Sequence, residues 1–291
     1  MEICLITGTS TGIGHATALH LARLGYKVYA SMRNAAKAGP LRERAAAENL
    51  PLVIETLDVS DNQSMLSCVQ RIIAAEGRID VLVNNAGLSS SSPIETYPEA
   101  EHRAMFEANY WGPVKLTQAV LPSMCAHGRG AIVNISSLVG RLAWANQGAY
   151  CASKFAMEAF SEALAQEVAP LGIRVAIIEP GVIASAIFEN TPVHYDRASP
   201  YKSAMRRNGR FFNIGIANAT PAETVAEVIA EALSAEQPQL RYPVGFGSEI
   251  MARRAAMKDE DFIALGALDD PDYYQALRDH LGIELEPPVK D

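Results

Sequence analysis

TGTSTGIG (residues 7–14) runs on from ICLIT (3–7), and the reading of that junction decides the fold. ICLIT is a short apolar run closed by glycine, the pattern of a strand buried on both faces. Beyond the turn, Ile13, Ala16, Leu19, Leu21 and Leu24 recur at helical spacing until Gly25 stops them. A strand, a glycine turn and a helix in this order make a natural anion site. Gly8 permits the tight turn, Gly12 lets backbone approach a phosphate, and Gly14 lets the helix pack close to the strand. The free N–H groups and the positive helix end then attract a pyrophosphate. Alone, such a turn is an ordinary loop. After the first strand of an alternating chain it predicts a dinucleotide site.

The rest of the chain does alternate. KVYAS (27–31), LVIETLDV (52–59), DVLVN (80–84), AIVNIS (131–136), IRVAIIE (173–179) and the short LRYPV (240–244) read as strands. Helical patterns cover 40–48, from Ser60 to about Glu76, about 99–127 in two pieces, about 149–169, and from Thr220 to about Ala235. Ser60 with Gln63 resembles a capping box. Thr220-Pro221-x-Glu223 offers a cap, a proline at the first helical position and an early glutamate. Connections this long allow the crossovers that parallel strands require. The expected fold is one α/β domain over 1–291, a doubly wound (Rossmann) parallel sheet flanked by helices. Across 184–219 the pattern weakens and aromatic and basic residues mix (Phe188, Tyr195, Tyr201, Phe211, Phe212), as in a surface excursion or substrate lid. Residues 246–291 read as a C-terminal extension of short helices.

Composition bounds the function. Of 291 residues 49% are hydrophobic and 20% charged, ample for a core. A net charge of −8 argues against a nucleic-acid surface. Cys4, Cys68, Cys125 and Cys151 form no CxxC and no zinc spacing, so no metal site is expected. They read as reduced thiols of a cytoplasmic protein. MEICLITG lacks a basic leader, and no apolar run reaches the ~18 residues of a membrane span.

Arg33 lies 19 residues beyond Gly14, at the tip of the second strand, where no acid stands. An acid about 20 residues on would accept from the ribose hydroxyls of NAD. A guanidinium instead forks onto a 2′-phosphate. NADP is therefore favoured over NAD, the plain alternative being a solvated arginine. Further on, AYCASKFAME (149–158) puts Tyr150 and Lys154 on one helix face. The pair alone reads as polar residues on an amphipathic helix.

Taken together, TGTSTGIG, NNAG (84–87), Asn109, Ser137, YCASK (150–154) and Pro180-Gly181 resemble the short-chain dehydrogenases/reductases in order and spacing, over about residues 3–185. YCASKFAMEAF is similar to the hydroxysteroid and retinol dehydrogenase branch, notably the 17β-hydroxysteroid dehydrogenases. The resemblance implies Tyr150 as general acid/base, with Lys154 stabilising its phenolate and binding ribose hydroxyls. Tyrosine's ordinary pKa of about 10 makes such help necessary. It implies Ser137 as a hydrogen-bond donor to the substrate oxygen, with its neighbour Ser136 pointing away. Asn109 would hold a water linking Lys154 to solvent. The implied cofactor residues are Gly8, Thr11, Gly12, Ile13, Gly14, Arg33, Asp58, Val59, Asn84, Ala86, Gly87, Tyr150, Lys154, Pro180, Gly181 and Val182. Ser185 joins them, standing where the family usually has threonine. Asn85 is expected to be structural, tying strands together at its turn.

Pocket walls in this fold come from loops at the strand carboxyl ends. Leu88, Val139, Leu142, Trp144 and the 184–219 excursion are the candidates. They are mostly apolar and point to a hydrophobic ketone or secondary alcohol, steroid-like or retinoid-like molecules among them, unless these residues simply pack the loops. The family habit implies a homodimer or homotetramer through helices 99–127 and 149–169. Two other readings stand beside this one. One is a catalytically silent NADP-binding regulatory or sensor relative. The other is an epimerase or dehydratase, whose turn TGxxGxxG differs from the TGxxxGxG found here.

Overall fold

The computed structural model describes residues 1–188, 190–194 and 196–285. Tyr195, residue 189 of the expected lid and 286–291 of the expected extension lie outside the described residues. Among the described residues seven strands form one parallel sheet: β1 (Ile3–Thr7), β2 (Lys27–Met32), β3 (Leu52–Thr56), β4 (Val81–Asn84), β5 (Gly130–Ile135), β6 (Ile173–Pro180) and β7 (Arg241–Val244). Their order is β3-β2-β1-β4-β5-β6-β7, so the winding reverses between β1 and β4. The doubly wound expectation holds, and the short run at 240–244 is a seventh parallel strand.

Side-chain alternation along β1 builds both layers. Cys4 and Ile6 face α1 (Gly12–Arg23) and α8 (Ala222–Ser234), packing with Ala18, Leu21, Val225 and Ile229. Ile3 and Leu5 face α3 (Asn62–Glu76), α5 (Gly112–His127) and α6 (Gly148–Val168), packing with Ile72, Leu116, Val120 and Leu164. Each fully buried aliphatic side chain of this kind stabilises by roughly 1.5–3 kcal/mol. The other helices are α2 (Gly39–Ala47), α4 (Glu99–Phe106), α7 (Lys202–Ala217), α9 (Ile250–Ala256), α10 (Asp259–Ala264) and α11 (Asp270–Ala276).

Two helix starts differ from the expected caps. At α3 the cap is Asp61, whose Oδ1 accepts from Gln63 N at 2.9 Å. Ser60 is drawn back onto Asp58, donating from N (2.9 Å) and Oγ (2.6 Å), and the Gln63 amide goes forward to Ser67. At α8, Pro221 is the capping residue rather than the first helical one. Thr220 Oγ1 accepts from Phe246 N at 3.0 Å instead of from the helix. That bond ties the end of the excursion to the loop after β7.

The stretch expected as two helices between 99 and 127 is one rod with a π-turn, Glu107–Trp111, between α4 and α5. Gly112 N reaches back five residues to Glu107 O. Pro113 explains the local loosening: it has no N–H to give the Asn109 carbonyl, four residues earlier, its helical bond. A third apolar cluster lies outside the sheet layers. It joins Leu138 and Leu142, beyond β5, to Ile250, Met251, Leu265, Tyr274 and Leu277 of the extension, with Trp144 and Phe211 against it. The extension is thus packed onto the cleft wall.

Candidate active site

A cleft of about 680 Å³ opens at the carboxyl ends of the strands, where the winding reverses. Its floor is bare backbone. A Cβ on Gly8 would lie 2.8 Å from Ala86 Cα, and one on Gly12 would lie 2.9 Å from Ser185 Cβ. Both glycines have positive φ, 71° and 59°. Thr11 precedes α1 with its hydroxyl unused in capping. Thr7 Oγ1 accepts from Asn85 N and Ala86 N, each at 3.0 Å, and Asn85 Nδ2 donates to Thr7 O and Gly8 O. Side chains therefore lock the β1 and β4 turns together, taking the Asn85 and Ala86 N–H groups and leaving the backbone of the glycine turn to face the cleft. Exposed Arg33 and half-buried Asp58 close one end. This donor set fits a dinucleotide: N–H groups for a pyrophosphate, a cation and no acid at the β2 tip.

Of the residues singled out in the sequence, three do not line the cleft. Gly14 lies behind the turn, where a Cβ would meet Asn85 Nδ2 and Gly8 O at 2.4 Å. Asn84 points into the sheet and donates to Asn134 Oδ1 at 2.8 Å; Asn134 in turn donates to Ser161 Oγ at 2.8 Å. Asn109 uses its whole amide locally. Its Oδ1 accepts from Leu88 N (2.7 Å), and its Nδ2 donates to Leu88 O (2.9 Å) and Ser153 Oγ (3.0 Å). The side chain is committed, and what Asn109 offers a water is the carbonyl loosened by Pro113. Gly8, Thr11, Gly12, Ile13, Arg33, Asp58, Val59, Ala86, Gly87, Pro180, Gly181, Val182 and Ser185 all border the cleft. So do Ser137, Tyr150, Lys154, Leu88, Val139, Leu142 and Trp144.

Tyr150 is half-buried on the first turn of α6, and Ser137 stands at the end of β5 with extended backbone. Ser137 Oγ donates to Pro180 O and accepts from Val139 N, both at 3.4 Å. Burial pushes the phenol up to about 12, with the Ser137 hydroxyl pulling the other way and the Cys151 thiol adding to the rise. Lys154 is buried, and Nζ donates to Ile135 O at 2.8 Å and sits 5.7 Å from the Tyr150 ring centre. Burial pushes it down to about 8, against the charge of Glu158. Burial dominates the phenol, while the Lys154 ammonium is bonded to the Ile135 carbonyl. Ser136 is directed away from the phenol, its hydroxyl buried without a partner beside Gly140.

In the sequence Phe188, Phe211 and Phe212 stand out only as part of the excursion; in the fold they form the apolar end of the cleft with Ile187. Gln147 and Ile250 also line it and carry no local signal. Gln147 O accepts from Cys151 N at 2.8 Å, and Ile250 arrives from the extension.

Residues 2–195 match the family described as short chain dehydrogenase, and the chain belongs to that family. It is 34% identical over 270 residues to estradiol 17-beta-dehydrogenase 1 of Rattus norvegicus, covering 89% of this chain and 77% of that protein. It is 35% identical over 284 residues to retinol dehydrogenase 8 of Bos taurus, covering 91% and 85%. Among solved structures, a metagenomic short-chain oxidoreductase in complex with NADP superposes with a TM-score of 0.68 at 27% identity, covering 84% and 96%.

Because Asn109 satisfies two part-buried backbone groups of Leu88 and the buried Ser153 hydroxyl, Asn109→Ala is expected to cost stability as well as turnover. Leaving Leu88 N–H and its carbonyl unpaired should lower the unfolding free energy by about 1–3 kcal/mol, read from the urea midpoint.

Proposed function

We propose that the protein is an NADP(H)-dependent oxidoreductase that interconverts a hydrophobic ketone and a secondary alcohol, with Tyr150 as general acid/base. The observation that carries the reading is the pairing of the Tyr150 phenol and the Ser137 hydroxyl on one cleft wall. They stand between a bare-backbone floor and an apolar end. In the reading, the glycine turn and Thr11 hold the pyrophosphate, Asp58 and Val59 border the adenine, and Ala86 and Gly87 pass beneath the ribose. Pro180, Gly181, Val182 and Ser185 border the nicotinamide. Bound there, NADPH supplies the hydride that reduces a carbonyl carbon, and NADP⁺ accepts it back.

The chain's own residues handle the oxygen. Ser137 donates to it and orients it. Tyr150 carries its proton at neutral pH and gives it to the oxygen as negative charge develops. The phenolate left behind faces the charge of Lys154. Reprotonation runs from Lys154 through a water on the Asn109 carbonyl.

Arg33 supports NADP, as does the likeness to the NADP-bound oxidoreductase; NAD is the alternative. The cleft end of Trp144, Phe188, Phe211, Phe212, Leu142 and Ile250 supports a bulky apolar substrate. So does the likeness to an estradiol and a retinol dehydrogenase. The buried unpaired thiols support a reducing compartment, the cytoplasm. Among the described residues no helix is long and apolar enough to cross a membrane.

Three outcomes are expected. Tyr150→Phe should cut NADPH oxidation over a panel of hydrophobic ketones by about 10²–10⁴-fold while cofactor affinity is kept. Cofactor binding by the wild type with no turnover on any ketone would leave the sensor reading instead. Arg33→Ala should weaken NADPH binding at least tenfold relative to NADH, checked by fluorescence titration of both. Trp111 and Phe155 stand 45% and 43% exposed on the α5–α6 side. Light scattering is expected to show a homodimer or homotetramer, which Trp111→Glu with Phe155→Glu splits to monomers.

A further inference from the structure

Behind the cleft lies a buried charge cluster that the proton chemistry above leaves unused. Glu158 is one turn beyond Lys154 on α6, Glu179 directly precedes Pro180 on β6, and Arg241 opens β7. Glu158 is 5% exposed and Glu179 fully buried. Arg241 Nε donates to Glu158 Oε2 at 3.0 Å, and its Nη2 to Glu162 Oε2 at 2.6 Å. Glu179 Oε1 lies 3.6 Å from Arg141 Nη1 and 3.7 Å from Arg241 Nε, ion-pair distances rather than hydrogen bonds. Two carboxyls this buried share their charge unevenly. Burial, and next the charge of Glu158, pushes Glu179 up to about 7, with Arg141 and Arg241 opposing. The hydrogen bond from Arg241 falls on Glu158, while Glu179 has only the longer contacts.

Lys154 lacks such a partner in contact. Its buried ammonium bonds the Ile135 carbonyl, and among the described residues no carboxylate lies within ion-pair distance of it. The other ionisable groups on and against α6 on this side are Tyr150 and Cys151 on the helix itself, Glu179 on β6, Arg141 after the 138–140 turn, Arg241 on β7, and Tyr110 and Glu107 in the π-turn. Glu107 is taken by Lys115 at 3.6 Å. On α4, Glu99 pairs with Arg103 and Glu101 with His194, leaving His102 stacked on Tyr97 and Phe106. Glu158 is the group whose charge opposes the burial of the lysine.

We propose that Glu158 is a positioning residue for the reaction: held by Arg241, its carboxylate keeps the Lys154 ammonium charged from one helical turn away. The proposal rests on the preceding reading of Lys154 as the cation beside the phenolate. It assigns a purpose to a buried carboxylate whose second oxygen, Oε1, has no partner.

The Lys154 ammonium is followed directly in the ligand-free protein through the ¹³C resonance of its Cε. There are seven lysines, and Lys154→Arg assigns the signal. Removing an anion disfavours the charged lysine, so Glu158→Gln is expected to move the midpoint from about 8 downward. The shift should be roughly one pH unit. The alkaline limb of NADPH affinity should move with it, and Glu158→Asp should restore most of the shift. Glu158→Gln alone leaves Arg241 without its acceptor, so Glu158→Gln with Arg241→Gln runs in parallel and should show a smaller downward shift, because the more distant cation leaves with the anion. An unmoved midpoint in whichever variant folds overturns the proposal while leaving the enzyme reading intact. Full turnover in Tyr150→Phe overturns that reading, and the role given to Lys154 with it, wherever the midpoint lies.

Discussion

A buried ammonium donating to the last carbonyl of a central strand fixes the working end of this molecule. Lys154 Nζ on Ile135 O holds α6 against the end of β5. A second polar tie runs parallel to it, from Asn84 on β4 through Asn134 on β5 to Ser161 on α6. Apolar packing alone would let α6 slide along the sheet by part of a turn at modest cost. Each buried bond contributes only about 0.5–1.5 kcal/mol net, yet leaving one unmade costs about 1–3 kcal/mol. The ties therefore select one register more than they add stability. That register sets the Tyr150 phenol opposite Ser137 rather than one turn away.

Burial then acts in opposite senses on the two reactive groups, and the outcome suits both. A phenol loses by ionising out of water, so Tyr150 is pushed up to about 12 and keeps its proton. An ammonium loses by being charged out of water, so Lys154 is pushed down to about 8 and still keeps its charge at neutral pH. A neutral acid beside a cation is the arrangement that proton donation to a developing alkoxide requires. In the proposed reaction the phenolate would appear only as the proton leaves, when the neighbouring charge is worth most, with the lysine held nearby on the Ile135 carbonyl.

The half of the site that binds the dinucleotide was legible in the sequence because its signals are local. A glycine turn after a first strand, and Arg33 a fixed distance on, report backbone geometry that neighbouring residues dictate. The sheet followed from the same local alternation. What stayed illegible is a side chain whose partner lies far along the chain. Nothing near Asn84 announces that Asn134, fifty positions later, takes its amide. Nothing near Asn109 announces that Leu88 and Ser153 occupy its side chain and leave only its carbonyl for a water. Ser60 and Thr220 carry the right hydroxyls for caps, but Asp58 and Phe246 take them. Pro113 was the visible cause of the π-turn, and its consequence falls four residues upstream, where the pattern looks helical.

The substrate end escaped local reading for a stronger reason of the same kind. Its wall is assembled from four stretches with weak periodicity: the loop after β5, Ile187 and Phe188 ahead of α7, α7 itself and the extension. None buries enough apolar surface to order itself. Arg207 shows how they are joined: almost fully buried on α7, it donates to Asp270 Oδ1 at 2.9 Å and Leu268 O at 2.6 Å, and stacks on the Tyr273 ring at 4.1 Å. Phe211, one turn on, packs with Trp144 from the β5 loop at 5.3 Å between ring centres. The extension thus clamps α7 by charge, and α7 carries the aromatic wall. Such a wall exists only as a tertiary product, so sequence can announce that it is apolar and aromatic without giving its shape. The chemistry of the reaction is written in adjacent residues, while the choice of substrate is written in contacts between distant ones.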